Sequence, residues 1–147
     1  MNRSILDKLI SYVGLALAAV LLIAGILMTT ASGFIKGQVH DQLASQRITM
    51  PSGPALDALG NAEDKAALEP YAGQMMSNGD QAKAFADNYI LNHMNKSSGG
   101  KTYEEVSGEF MRLPDKTTEE ARQMGELRQS LFMGNTLRGM LLNAYAF

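Results

Sequence analysis

No charged side chain interrupts residues 9–35, and between Val13 and Met28 almost every position is Ala, Val, Leu, Ile, Gly or Met. About 20 apolar residues at 1.5 Å rise per residue cross the hydrocarbon core of a bilayer, so this run predicts a transmembrane helix. A signal peptide is the rival reading, with residues 29–32 as its small-residue cleavage site. The apolar run exceeds the usual signal length, and helix-compatible sequence continues to about Leu43, so the reading taken is an uncleaved anchor. Along it Gly14, Ala18, Leu21, Gly25, Thr29 and Ser32 fall at helical spacing on one side. Such stripes of mostly small residues let membrane helices pack closely, and this one is the candidate helix-packing face.

Beyond the anchor the pattern becomes short and broken. Pro51, Gly53, Pro54 and Gly60 mark residues 48–61 as a linker or irregular cap. Asn61 is placed to cap a helix over 62–68, which Pro70 ends or kinks. Asp80 is the expected N-cap of a helix over 81–96, with Ala82, Phe85, Ala86, Tyr89, Ile90 and His93 on one face. Thr102 with Glu105 has capping-box spacing and opens a helix to about Arg112, which Pro114 stops. Thr117 with Glu120 repeats that spacing and opens a long last helix. Met124, Leu127, Leu131, Leu137 and Leu141 are expected to form its continuous apolar face. Its last nine residues are almost free of polarity but too few to cross a bilayer. They predict the start of a second span, or a tip that dips into the interface or packs on the first helix.

The reading is therefore all-α. It has a cytoplasmic N-terminus (1–8), a transmembrane helix (9–35) and a small extracytoplasmic helical domain (36–116). A long C-terminal helix (117–147) then returns towards the membrane. Charge sets the orientation. Arg3 and Lys8 precede the apolar run, which favours a cytoplasmic N-terminus. Residues 37–137 carry nine Lys/Arg against 14 Asp/Glu, and an acidic domain repels nucleic acid. The chain has no cysteine, which excludes disulfides and thiolate metal sites.

Candidate chemistry is sparse. His40 and His93 stand 53 residues apart in no metal-binding spacing, and His93 falls on the apolar face of its helix. Glu104, Glu105, Glu119 and Glu120 sit in expected first turns, where negative charge complements the helix dipole. The ten methionines are scattered and suit loose core filling or a pliable contact surface better than copper(I). No catalytic residue, cofactor or metal site is expected.

The segments GDQAKAFADNYI (79–90), TYEEVS (102–107), TLRGMLLNAYAF (136–147) and TTASGFIKGQVHDQLASQRITMP (29–51) resemble a family of short actinobacterial membrane proteins without assigned function. The resemblance spans nearly the whole chain and implies architecture. In that family a second membrane helix follows the segment matching 136–147. Its members often carry an automatic label as an aromatic ring-opening dioxygenase subunit. That chemistry needs iron held by His and carboxylate ligands, which His40 and His93 are not arranged to supply.

The expected function is that of a non-enzymatic, membrane-anchored accessory or interaction protein, a small subunit of an envelope or respiratory membrane complex. Its expected partners are membrane lipid and other membrane proteins. The alternative is an extracytoplasmic module binding a small apolar ligand, motivated by Phe85, Tyr89 and the methionines. A metal-dependent dioxygenase subunit ranks below both.

Overall fold

The computed structural model describes residues 3–147 and is all-α, with no strand among them. It divides into two compact units, Met1–Gln38 and Val39–Phe147.

The first unit consists of most of α1 (Arg3–Ser45), the one helix among the described residues long and apolar enough to cross a membrane. The helix runs unbroken through Gly14, Gly25, Gly33 and Gly37, and no proline lies in it. Ser11 donates to the Asp7 carbonyl at 2.9 Å, and Thr29 to those of Gly25 and Ile26 at 3.1 and 2.9 Å. Both hydroxyls are thereby satisfied by carbonyls of their own helix.

The second unit contains the end of α1 and six further helices: α2 (Pro54–Asp57), α3 (Ala62–Leu68), α4 (Gly79–Ala84), α5 (Leu91–Ser98), α6 (Tyr103–Arg112) and α7 (Glu119–Ala146). A 3-10 turn, Glu69–Tyr71, follows α3, and a π-helical segment, Phe85–Ile90, joins α4 to α5. Asn61 caps α3 as expected, its side chain accepting from the Glu63 amide at 2.9 Å. The Thr102–Glu105 capping box is complete in both directions. Gly99, in the left-handed region at φ 63°, closes α5.

Three boundaries differ from the sequence reading. Asn78, not Asp80, caps α4 by accepting from the Gln81 amide at 3.0 Å, and Asp80 falls in the first turn. Thr118, not Thr117, caps α7. Thr117 is held instead by Asp115, which accepts from its amide and hydroxyl at 2.8 and 2.7 Å.

The third difference is larger. Residues 48–61, expected as a linker or irregular cap, supply Met50, Leu56 and Leu59 to the core, all buried. The backbone explains it: Met50 donates to the Gln74 carbonyl and Met76 to that of Ile48, both at 2.8 Å. A short antiparallel bridge, Thr49 to Met75, thus pins the segment against residues far along the chain. Pro54 is tolerated because it opens α2, where its missing N–H removes nothing.

The main core gathers these residues with Leu43 of α1, Leu68, Met76, Ala82, Ala84, Ala86 and Leu141. Around it α7 lies antiparallel to residues 79–98. A Cβ added at Gly134 would strike Met94, Arg138 bonds Ala86 and Asp87, and a Cβ added at Gly79 would meet the backbone of Ala144 and Tyr145. The earlier part of α7 packs on α6, with Phe110 over Gly125 and Tyr103 against Phe132. The buried positions of α7 are Ala121, Leu131 and Leu141. Ten residues at 100° each advance the helix by about −80°, so its buried face swings as its partner changes. The expected single apolar face is therefore not kept, and Leu137 is left exposed.

Candidate functional site

The expected helix-packing face lies open along α1. Gly14, Ala18, Leu21, Gly25, Thr29 and Ser32 are all exposed, and a Cβ added at Gly14 or Gly25 would meet nothing within 4 Å. The apolar side chains around this stripe, Leu17, Leu22 and Ile26 among them, are equally exposed. In water such a surface is strongly unfavourable; in lipid it is the ordinary solvent-facing surface of a span.

A second exposed apolar stripe runs along the last turns of α7. Met133, Leu137 and Met140, followed by half-buried Ala144 and by Phe147 just past the helix end, recur at alternating spacings of four and three. Leu137 is 42 % exposed, Met140 64 % and Phe147 74 %. Between this stripe and the end of α1 lies a groove of about 480 Å³. Val39, Leu43 and Ile48 form one wall; Leu137, Met140, Leu141, Ala144 and Phe147 form the other. The amides of Gln42, Gln46 and Asn143 sit among them, and none of the eleven lining residues has an ionisable side chain. The alternative reading as an apolar-ligand module is motivated by Phe85, Tyr89 and the methionines; neither ring lines this groove, whereas Met140 does. Those rings stack on each other at 4.9 Å, and Tyr89 meets the His93 ring at 4.4 Å.

The groove is held in shape from behind α7. Arg138 donates from Nε to the Ala86 carbonyl and from its terminal nitrogen to Asp87, both at 3.0 Å. The carbonyl it reaches belongs to the π-helical segment, whose wider turn brings Leu91 N–H, rather than that of residue 90, onto Ala86. Lys83 binds the other oxygen of Asp87 at 2.6 Å and lies over the Tyr145 ring. Burial pushes the Asp87 carboxyl up, and the hydrogen bonds from Lys83 and Arg138 more than reverse this, holding it below the usual carboxylate range.

A separate polar cleft of about 390 Å³ is lined by Asn61, Asp64, Asp87, Leu91, Asn92, Asn95 and Lys96. Its contacts are structural. Asn92 donates to Asp64 at 2.7 Å and to the Leu59 carbonyl at 3.3 Å, while Lys96 donates to the Ala58 carbonyl at 2.6 Å. These bonds tie α5 to the segment around α2 and α3. Neither histidine joins a cluster: His40 faces Asp41 at 3.2 Å, and His93 bonds the Tyr89 carbonyl at 2.8 Å. Among the described residues no three His, Cys, Asp or Glu side chains converge as metal ligands.

Comparison with protein-family models, curated proteins and solved structures returns no match. The functional reading accordingly rests on the chain's own surfaces.

Proposed function

We propose that this chain is a non-enzymatic membrane protein, anchored by α1, that serves as an accessory subunit of a larger membrane assembly. The observation that carries the reading is α1 itself, a helix apolar enough to span whose small-residue stripe is exposed from Gly14 to Ser32. Those positions extend about 27 Å along the axis, close to the thickness of the hydrocarbon core. A partner helix approaching that side would meet no side chain beyond Cβ at Gly14, Ala18 and Gly25 and short hydroxyl side chains at Thr29 and Ser32, with Leu21 the one bulky residue of the stripe; close packing against such stripes favours helix association in lipid. Arg3 and Lys8 ahead of the span support a cytoplasmic N-terminus, with Val39–Phe147 outside. The envelope or respiratory setting rests on analogy with small accessory subunits.

Extraction of native membranes in mild detergent tests the proposal. The expected result is stoichiometric co-purification with a larger complex, weakened by Gly25→Leu. Recovery of the wild-type chain only as a free monomer overturns it. The apolar groove favours a second reading, a module that holds a small apolar ligand outside the membrane. Under that reading the second unit would retain an apolar molecule through purification, whatever happens at the α1 stripe.

A further inference from the structure

We infer that Arg128 anchors a carboxylate of a partner protein, an Asp or Glu side chain seated in a small pocket between α6 and α7. The inference deepens the accessory-subunit reading and rests on it. The pocket lies wholly within the Val39–Phe147 unit.

Spacing along α7 builds the pocket. Gly125, Arg128, Gln129 and Phe132 stand at i, i+3, i+4 and i+7, on one side of the helix, and Tyr103 joins them from α6. Together they line about 310 Å³. Gly125 puts no side chain into this space and lets the Phe110 ring come close; a Cβ added there would lie 3.3 Å from it. Tyr103 and Phe132 pair with ring centroids 5.8 Å apart, and Phe132 stays exposed. The Arg128 guanidinium lies over the Phe110 ring, 4.3 Å from its centroid. The ring attracts the charge but offers no acceptor oxygen to the five N–H donors.

The pairing of cations points to a missing anion. Four Lys or Arg residues of this unit are half-buried: Lys65, Lys83, Arg128 and Arg138. Lys65 binds Asp57, and Lys83 and Arg138 share Asp87. The Arg128 side chain alone of the four has no carboxylate among the described residues. A partly desolvated charge without a partner is unfavourable, and a carboxylate can take a guanidinium edge through two parallel bonds. Lys116 brings a second positive charge to 5.1 Å from the same ring, and its own donors are taken by the Phe110, Met111 and Leu113 carbonyls. Size favours a side chain over a free ligand. Five residues line the pocket, and its volume is at the bottom of the roughly 300–1,000 Å³ range of small-molecule sites. Arg, Tyr and Phe are also residue types enriched where protein interfaces concentrate.

The probe is a capped pentapeptide, acetyl-Ala-Leu-Glu-Leu-Ala-amide, titrated into the isotope-labelled full-length chain in detergent micelles and followed by NMR. Saturable shifts are expected at the Arg128 Nε–H, the Gly125 amide and the Tyr103 and Phe132 rings. The same peptide with Gln in place of Glu should bind about tenfold more weakly, because a neutral amide forfeits the charge-assisted bonds. Arg128→Gln should abolish the preference for Glu while amide shifts in α3 and α4 stay in place, and Arg128→Lys should keep only part of it. Absence of saturable shifts, equal affinity for the two peptides, or a preference that survives Arg128→Gln overturns the inference. Acetate saturating the same signals as tightly as the peptide also overturns it, assigning the pocket to a free carboxylic acid. Shifts that grow with protein concentration before peptide is added overturn it in favour of a second copy. Extraction of native membranes separates the two readings. If Arg128→Gln co-purifies with a larger complex as fully as the wild type, this inference falls and the accessory-subunit reading stands; a wild-type chain recovered only as a free monomer sinks both.

Discussion

Gly79 marks the closest approach of two helices. A Cβ built there would lie 2.8 Å from both the Ala144 carbonyl oxygen and the Tyr145 Cα, backbone atoms that cannot swing aside. Gly79→Ala should therefore destabilise the second unit by about 2 kcal/mol, the usual scale of overpacking. A lowered denaturation midpoint with an unchanged denaturant slope is the expected result. Gly134 is the instructive contrast, because its close neighbour is the flexible side chain of Met94, and Ala there should cost less. Arg138 is the other decisive single residue. Replacing it with Met removes one donor from Asp87, which keeps Lys83, and one from the Ala86 carbonyl, which keeps the Leu91 amide; losing the two bonds should cost about 2 kcal/mol. The same cluster sets an acid response. Asp87 has a folded pKa below its ordinary value, so its contribution is complete above about pH 4, the unfolded carboxylate range. It is lost as the pH falls through the lower folded value. Stability measured from pH 6 downward should drop less steeply in Asp87→Asn than in the wild type.

Among the elements, the capped helices follow rules that act over three or four residues. Thr102 and Glu105 satisfy each other's turn, and the hydrogen bonds from the Thr102 amide and hydroxyl hold the Glu105 carboxyl below its usual range. Thr102→Ala should cost about 1 kcal/mol and raise amide exchange in the first turn of α6. The cap of α7 was displaced by one residue because Asp115, just after Pro114, captures Thr117 first. Nothing in the local sequence announces the π-helical segment at Phe85–Ile90. Its wider turn makes sense only once Arg138, some fifty residues later, donates to the Ala86 carbonyl. Residues 48–61 were misread for a related reason. Leu56 and Leu59 stand three apart, too short a run to mark a core helix among Pro and Gly, and Met50 is buried only because the strand-like pairing with residues 74–76 places it there.

For the molecule as a whole, sidedness is the test most independent of any partner. A thiol-reactive, membrane-impermeant reagent applied to intact cells should label Ser97→Cys, which lies near the end of α5. Labelling only after lysis would place the Val39–Phe147 unit inside. By itself the sequence determined the long apolar helix, the all-α class and the caps at Asn61 and Thr102. Each depends on hydrophobic run length or on side chains within a turn of one another. The small-residue stripe was legible for the same reason, since one helix's own geometry puts its six residues on one side. Only the tertiary structure decided that residues 48–61 supply Met50, Leu56 and Leu59 to the core, that α7 changes its buried face along its length, and that the apolar groove takes in Val39, Met140 and Phe147 and leaves Phe85 and Tyr89 outside. Those outcomes turn on which distant segment each helix meets, and a one-dimensional pattern records that a face is apolar without recording what covers it.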